Sequence, residues 1–333
     1  MLKRLLRGSL NLVKWVLCLV GATTPVLVAM LATPLAGLPE LTSVSKTARA
    51  VDRSTMPPLQ RFSARDGTEL AYRHYPARGV ANEKIAILVH GSSGSSPSVH
   101  ALADALAARG VETYAPDIRG HGGSGTRGDI AYLGQLENDL EDLVAVVRKA
   151  SPNQPLTLLG HSAGGGFALR VASSPIRNLF ARTVLLAPYL GYDAPTNRDS
   201  GGWASADVPR LLALAALRRV GIECCEELQT LAFAVPPNSE NILVPAYSYR
   251  LMRNFATRGY KDDLAAVTRP LTLISGADDE LMLADNYAAA VHAVAPSVDV
   301  KLIQGANHMG IVSDARAVSA IADDVATRGS AGT

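Results

Sequence analysis

The stretch that decides the fold reads Leu-Leu-Gly-His-Ser-Ala-Gly and covers residues 158–164. It places a G-x-S-x-G pattern between an apolar run typical of a buried strand and a small-residue run typical of a helix. In such a turn the serine is strained and its Oγ is lifted clear of the sheet, and glycines flank it because a neighbouring Cβ would clash. No Gly-Lys-Ser/Thr follows, which excludes a phosphate-binding loop. The stretch therefore predicts that Ser162 is a nucleophile.

Strands and helices alternate on both sides of this stretch. An Asp66-Gly67 turn joins two β-rich runs into a predicted hairpin. Further strands are predicted at residues 85–89, 113–116, 156–160, 183–186, 271–275 and 300–303. Helices are predicted at residues 98–108, 132–149, 164–173, 283–294 and 315–327. This alternation predicts an α/β fold with a mainly parallel sheet and helices on both faces.

The alternation stops between residues 188 and 269, a longer interruption than a crossover connection needs. It contains an apolar helical run at 208–220 and a second segment at 224–234. We expect these residues to form a cap of helix and loop over the carboxyl edge of the sheet. The core would then consist of residues 59–187 and 270–328. The run 208–217 is apolar over nearly its whole circumference, so it is expected to be covered. It would either pack on the core and nearby segments such as 228–233, or line an acyl-binding cleft or touch lipid.

A serine hydroxyl is a weak nucleophile, so it needs a base, usually a histidine that a carboxylate orients. Along an α/β sheet the typical order is serine, acid, histidine. Asp278, Asp279 and Glu280 follow one predicted strand, and His308 lies in a turn after the last one. Spacing favours Asp279 as the acid, with Asp278 as the alternative. Main-chain amides in small-residue turns would stabilise the oxyanion of acyl transfer.

Composition limits the class of protein and the kinds of partner that can be expected. With 48% hydrophobic and 19% charged residues among 333, the chain has the profile of a folded protein with a large core. Its 32 Lys and Arg against 30 Asp and Glu give no electrostatic reason to expect a nucleic-acid partner. Three cysteines cannot form a disulfide framework, and none has metal-ligand spacing. We expect neither a metal nor an organic cofactor.

The first 40 residues are predicted to form a membrane anchor. Four lysines and arginines within residues 1–14 precede an uncharged stretch at 15–39, and about 20 apolar residues can span a bilayer as a helix. A cleaved secretory signal and a soluble amphipathic arm are the alternatives. The positive-inside rule would keep the N-terminus cytoplasmic and place the catalytic body outside the cytoplasm, or secrete it after cleavage. Residues 41–58 turn polar and are predicted to be a linker.

Taken together, these motifs resemble the α/β-hydrolase superfamily, and more narrowly its monoacylglycerol lipase and lysophospholipase branch, which is serine aminopeptidase-like. The resemblance runs from about residue 59 to residue 327 and rests on His90-Gly91, the stretch DIRGHGGS at 117–124, the motif at 160–164, Gly-Ala-Asp-Asp at 276–279, and His308. It implies the following roles: the acid is Asp279, the oxyanion amides are those of Ser92 and Ala163, and a structural loop is braced by Asp117, Arg119 and His121.

The resemblance implies a serine hydrolase that acts through an acyl-enzyme on carboxylic esters, in particular single-chain lipid esters such as monoacylglycerols or lysophospholipids. A noncatalytic ligand-binding protein of the same fold remains an alternative, as do a serine peptidase and a cofactor-free haloperoxidase-like enzyme. Dehalogenases and epoxide hydrolases are disfavoured because they carry Asp as the nucleophile at the position of Ser162. The expected partners are a small-molecule or lipid ester substrate and, through the N-terminal segment, a membrane.

Overall fold

A computed structural model describes residues 15, 21–80, 83–198, 201–237, 239 and 243–327. Its strands are β1 (Leu59–Ser63), β2 (Glu69–Tyr75), β3 (Lys84–Val89), β4 (Val111–Pro116), β5 (Leu156–His161), β6 (Arg182–Leu186), β7 (Ala204–Ala206), β8 (Gln229–Phe233), β9 (Ala246–Ser248), β10 (Leu271–Gly276) and β11 (Asp299–Ile303). Its helices are α1 (residues 21–31), α2 (Thr42–Arg49), α3 (His100–Ala108), α4 (Gln135–Ala150), α5 (Ala163–Ser173), α6 (Val208–Arg219), α7 (Tyr249–Asn254), α8 (Tyr260–Ala266), α9 (Asn286–His292) and α10 (Ala315–Thr327).

Eight strands form one sheet in the order β1-β2-β4-β3-β5-β6-β10-β11. Strand β2 runs antiparallel to both β1 and β4, and all the other neighbours in this sheet are parallel. The predicted hairpin is confirmed, and Gly67 takes the positive φ of +80° that its turn requires. The mainly parallel sheet is confirmed as well.

The central strands are covered on both faces. Residues 85–89 of β3 and all six residues of β5 are buried. Successive side chains of a strand point to opposite faces, so unbroken burial means that each face is packed. Helix α3 packs against α10, and α5 packs against α8. The parallel strands end at one edge, and the turns that follow β3, β5, β10 and β11 meet there.

Residues 188–269, expected to be helix and loop, also contain a second sheet. Strands β7, β8 and β9 pair antiparallel in that order, with Ala206 opposite Leu231 and Ala232 opposite Ala246. The prediction of a purely helical cap is therefore wrong. These strands are three to five residues long and depend on pairing between separate segments, which local periodicity does not report.

Helix α6 lies on the surface of this insertion. Ala213 and Leu214 are buried, but Leu212 is 58% exposed and Val208 is 54% exposed. Only one side of the helix therefore packs against the protein, so the expectation that the protein body covers it is wrong. The alternative, that part of it lines an acyl-binding cleft or touches lipid, stays a prediction.

Two observations concern the N-terminal segment. Residues 1–14 and 16–20 of the predicted anchor lie outside the described residues, and within the described ranges no helix is long and apolar enough to cross a bilayer. The predicted linker at 41–58 contains helix α2, whose residues Val44 and Ser45 are buried. The linker prediction is thus wrong for this part, since a polar composition concealed two apolar positions four residues apart, Val44 and Ala48, on one helix face.

Candidate active site

Ser162 forms the turn between β5 and α5. Its backbone has φ 54° and ψ −117°, a strained conformation for a residue with a side chain. The Ser162 amide donates to the carbonyl of Leu186 at 2.9 Å, and the Ser162 carbonyl accepts from the amides of Gly166 at 3.0 Å and Tyr189 at 2.9 Å. These hydrogen bonds hold the strained turn in place.

The two glycines of the motif permit this turn sterically. A Cβ on Gly160 would lie 2.1 Å from the carbonyl oxygen of Gly164, and a Cβ on Gly164 would lie 2.2 Å from that of His90. Both distances are far below any real contact, and the obstructing atoms are backbone. The G-x-S-x-G pattern is therefore required by close packing between the strand, the helix and the loop after β3.

His308 is hydrogen-bonded to Asp279. Its Nδ1 lies 2.8 Å from Asp279 Oδ2, while Asp279 Oδ1 accepts from the amides of Leu281 and Met282, both at 2.8 Å. Burial raises the pKa of the Asp279 carboxyl, but His308 and the two amides together hold it below its ordinary value. The carboxylate is thus ionised at neutral pH and acts as the acceptor. His308 donates from Nδ1, which leaves Nε2 to accept a proton.

The neighbouring carboxylates lie elsewhere. Asp278 is exposed, and its amide donates to the carbonyl of Ala306 at 3.0 Å. Glu280 Oε2 accepts the backbone amide of His308 at 2.9 Å. Of the three acidic residues weighed from the sequence, the structure brings Asp279 to the His308 ring and Glu280 to the His308 backbone. The contact of Glu280 was missed, and no local signal points to it because it joins two separate turns.

His161, which precedes Ser162, also supports the histidine turn. Its Nε2 lies 3.0 Å from the His308 carbonyl oxygen, and the two rings are 4.9 Å apart between centroids. Burial, together with the nearby His308, lowers the pKa of His161 to about 3. His161 is therefore neutral at physiological pH and donates from Nε2 to that carbonyl. Its role was also missed, although its place inside the motif was a signal.

The loop after β3 approaches Ser162 closely. A Cβ on Gly91 would lie 3.2 Å from the Ser162 Cβ, so the absence of a side chain brings Ser92 beside the nucleophile. Ser92 Oγ accepts a hydrogen bond from Trp203 Nε1 at 2.9 Å, which connects this loop to the insertion. Ala163 is the first residue of α5. The amides of Ser92 and Ala163 remain the predicted oxyanion donors.

The loop at residues 117–124 is braced from inside. Asp117 accepts from the amides of Ser96 and Gly123, each at 2.8 Å. Arg119 makes two hydrogen bonds with Asp139, at 2.8 and 2.7 Å, and His121 Nε2 bonds to the hydroxyl of Tyr247. These contacts agree with the bracing role that the resemblance implies for Asp117, Arg119 and His121.

His90, at the end of β3, joins the same network. Its Nε2 accepts the amide of Ile118 at 3.1 Å, so its Nδ1 donates to the Gly91 carbonyl at 2.7 Å. Burial lowers the pKa of His90, which keeps this tautomer neutral. The histidine thereby fixes the start of the loop that carries Ser92.

A small cavity of about 70 Å³ lies over the nucleophile. Its lining residues are Val44, Ser45, Ala48, Gly91, Ser92, Ser93, Gly94, Ser98, His161, Ser162, Trp203, Pro236, Leu243, Leu281, His308 and Met309. A larger cavity of about 650 Å³ is lined by the first residues of β6, β10 and β11, at the opposite edge of the sheet. We identify the smaller cavity as the candidate active site, because of these two cavities it is the one lined by Ser162 and His308. No cluster of His, Cys, Asp or Glu that could hold a metal ion occurs within the described ranges.

Comparison with known proteins supports this identification. The family model "Hydrolase_4: Serine aminopeptidase, S33" matches residues 81–314. The monoglyceride lipase of Saccharomyces cerevisiae is 27% identical over 77% of this chain and 87% of that protein. Human monoglyceride lipase is 30% identical over 45% of this chain and 48% of that protein.

A solved structure shows the same fold. The crystal structure of a soluble variant of the yeast monoglyceride lipase, in complex with a substrate analog, superposes with a TM-score of 0.63 at 20% identity, covering 82% of this chain and 95% of that one. The family model matches well over half of the chain. The chain therefore belongs to the serine aminopeptidase S33 family of α/β-hydrolases, in its monoacylglycerol lipase branch.

Proposed function

We propose that this hydrolase is a serine esterase that acts through an acyl-enzyme on single-chain lipid esters such as monoacylglycerols or lysophospholipids. The observation that carries the proposal is the buried His308–Asp279 pair, 2.8 Å between Nδ1 and Oδ2, beside a cavity that Ser162 also lines. Nucleophile, base and acid of acyl transfer thus converge at one sheet edge.

The mechanism follows from these groups. His308 Nε2 takes the proton of the Ser162 hydroxyl as Oγ attacks the ester carbonyl, and the amides of Ser92 and Ala163 stabilise the oxyanion. His308 then protonates the leaving alcohol, which departs and leaves the acyl group on Oγ. In the second half, His308 deprotonates a water that attacks the acyl-enzyme. His308 returns that proton to Ser162 Oγ as the bond between Oγ and the acyl carbon breaks, which releases the fatty acid and restores the hydroxyl.

The cavity lining favours an ester over a peptide with a free amino terminus. Its apolar side chains include Leu243, Leu281 and Met309, and none of the described residues that line it is Asp or Glu. Binding a substrate ammonium group would require such a carboxylate, whereas an acyl chain requires an apolar wall. The relatives named as monoglyceride lipases support the same substrate class.

The test is hydrolysis of p-nitrophenyl esters of increasing chain length and of monoacylglycerols, with Ser162→Ala and His308→Ala as paired variants. We expect each variant to lose turnover by several orders of magnitude, because nucleophile and base act as one unit. Circular dichroism and thermal unfolding should show that both variants remain folded. Ester hydrolysis at the wild-type rate by folded Ser162→Ala protein would contradict the mechanism.

We further propose that residues 1–40 hold the protein at a membrane with the catalytic body outside the cytoplasm. The support is the cationic run at residues 1–14 followed by the uncharged stretch at 15–39. Attachment of this kind would keep the enzyme close to lipid substrates.

A further inference from the structure

Helix α2 lies over the candidate active site. Val44, Ser45 and Ala48 line the same cavity as Ser162 and His308. Val44 is only 6% exposed, so its side chain is covered by the protein body. The helix lies outside residues 81–314, which match the family model.

The helix leaves little room for a substrate. With α2 in place the cavity measures about 70 Å³. Pockets that bind organic ligands usually measure about 300 to 1,000 Å³. A long acyl chain attached to Ser162 therefore needs more space than this cavity offers, and Val44 and Ala48 are two of the residues that bound it.

Few polar contacts hold α2 to the body. The Leu41 amide donates to the Ala234 carbonyl at 3.1 Å, and Asn307 Nδ2 donates to Thr47 Oγ1 at 3.2 Å. Its other side-chain bonds are local: Glu40 pairs with Arg49 at 2.9 Å and accepts from the Ser45 hydroxyl. An eight-residue helix has little stability of its own, so the docking of Val44 and Ala48 keeps it in place.

The segments on both sides of α2 are irregular. Residues 34–41 and 50–58 contain no regular helix or strand. Beyond the first of them, Thr33 Oγ1 bonds to Asp207 at 2.8 Å and Arg210 Nε donates to the Leu31 carbonyl at 3.0 Å. Beyond the second, strand β1 is fixed in the sheet. Helix α2 thus lies between two irregular segments, and the chain is held to the protein body at the far end of each.

We propose that α2 is a lid that competes with the acyl chain of the substrate for this cavity, which makes Val44 and Ala48 determinants of chain-length specificity. The proposal rests on the proposed esterase function. Short acyl groups fit beneath the docked helix, whereas long ones require its displacement.

The test compares Val44→Asp with Ser43→Asp in the full chain. Both variants add one negative charge to α2, but Val44 faces the cavity and Ser43 is exposed. A carboxylate at 44 disfavours docking, because an unpaired charge is costly to bury. We expect the ratio of kcat/KM for p-nitrophenyl decanoate to that for p-nitrophenyl acetate to rise about 10-fold or more in Val44→Asp. It should stay at the wild-type ratio in Ser43→Asp.

A second readout does not depend on catalysis. The sequence contains two tryptophans, so Trp15→Phe leaves Trp203, which lines the cavity, as the single emitter. In that background, acrylamide should quench Trp203 fluorescence at least twofold more strongly in Val44→Asp than in Ser43→Asp. The increase would report that the helix has left the cavity.

The outcomes separate the two proposals. An unchanged chain-length ratio together with unchanged quenching in folded Val44→Asp protein would overturn the lid, while Ser162-dependent hydrolysis would still support the esterase. Absence of ester hydrolysis in the wild type would overturn the esterase, and quenching would still decide whether α2 opens. If Val44→Asp fails to fold, Val44→Ala decides the matter: a rise of about twofold to fivefold in the ratio supports the lid, and no change overturns it.

Discussion

Asp278, Asp279 and Glu280 are adjacent carboxylates with three different surroundings. Asp278 faces solvent, Asp279 holds the His308 ring, and Glu280 holds the His308 backbone amide. A turn after β10 separates them because it bends sharply enough for Asp279 to accept the amides of Leu281 and Met282. Each residue should therefore respond differently to the loss of its charge.

We predict that Asp279→Asn lowers kcat by about 10⁴-fold, because the amide no longer fixes the tautomer and orientation of His308. Asp278→Asn, the matched change at the exposed neighbour, should leave kcat within about twofold of wild type. Steady-state kinetics on a short p-nitrophenyl ester, with the unfolding temperature as a control, would check both. The reverse ranking would move the acid by one position.

Some of these residue roles could be predicted from the sequence, and others could not. Ser162 and His308 could be proposed because each lies in a turn directly after a predicted strand, and parallel strands end at one edge. The supporting contacts of Glu280 and His161 with the His308 backbone could not, because they depend on how two separate turns meet. Hydrogen bonds between distant turns leave no periodicity in the sequence.

In helix α4, too, contacts with other elements decide the burial of residues in a way that sequence spacing does not predict. Its apolar positions Leu136, Leu140 and Leu143 are buried as their helical spacing predicts. Glu137 and Asp139, which the same spacing assigns to the solvent face, are buried too, because Arg170 and Arg119 pair with them at 2.7 Å each. Helical spacing places a charged residue on one face of its own helix, but it carries no information about an ion-pair partner on another element.

We predict that Arg119→Met destabilises the protein by about 3 to 5 kcal/mol, since it leaves the Asp139 carboxylate buried without its partner. Burial already raises the pKa of Asp139 even with Arg119 present. In the variant the folded state binds a proton on Asp139 more readily than the unfolded state, so its stability falls as pH rises. Urea unfolding should therefore show a smaller loss at pH 4 than at pH 7.

The matched control is Arg65→Met. Arg65 also pairs with α4, through Asp142 at 2.9 Å, but the arginine side chain is 44% exposed. Exposed pairs contribute about 0 to 1 kcal/mol, so the loss should be small. Equal destabilisation by both substitutions would mean that burial of the Arg119–Asp139 pair has no energetic consequence.

At the scale of the whole molecule, the N-terminal segment is hydrogen-bonded to the cap, residues 188–269. Arg210 on α6 donates to the carbonyls of Leu31 and Thr33, and Asp207 accepts from the Thr33 hydroxyl. This connection was not predicted, since residues 1–40 were expected to act only as an anchor. Hydrogen bonds that hold the cap thus come in part from a segment that precedes the catalytic core.

We predict that deleting residues 1–30 or residues 1–40 releases the protein from the membrane fraction, and that the full chain resists carbonate extraction. Both shortened proteins should hydrolyse short esters, because the sheet begins only at Leu59. The deletion of 1–40 should also cost about 2 to 3 kcal/mol in urea unfolding, since Arg210 loses two carbonyl acceptors. The deletion of 1–30 keeps them and should cost little.

Two results would contradict this prediction. Retention of both shortened proteins in the membrane fraction would place the attachment elsewhere in the chain. Equal stability of the two would mean that the bonds of Arg210 to residues 31 and 33 contribute nothing to the cap.

The docking of α2 beside the histidine turn sets the order in which the enzyme can be assembled on the ribosome. Thr47 and its partner Asn307 are 260 residues apart. At about 5 to 20 residues per second, roughly 13 to 52 s pass between their syntheses. During that interval the cavity that Val44 and Ala48 line is incomplete, because His308 and Met309 have not yet been synthesised. The nascent chain becomes a closed hydrolase only after its last strand has been translated.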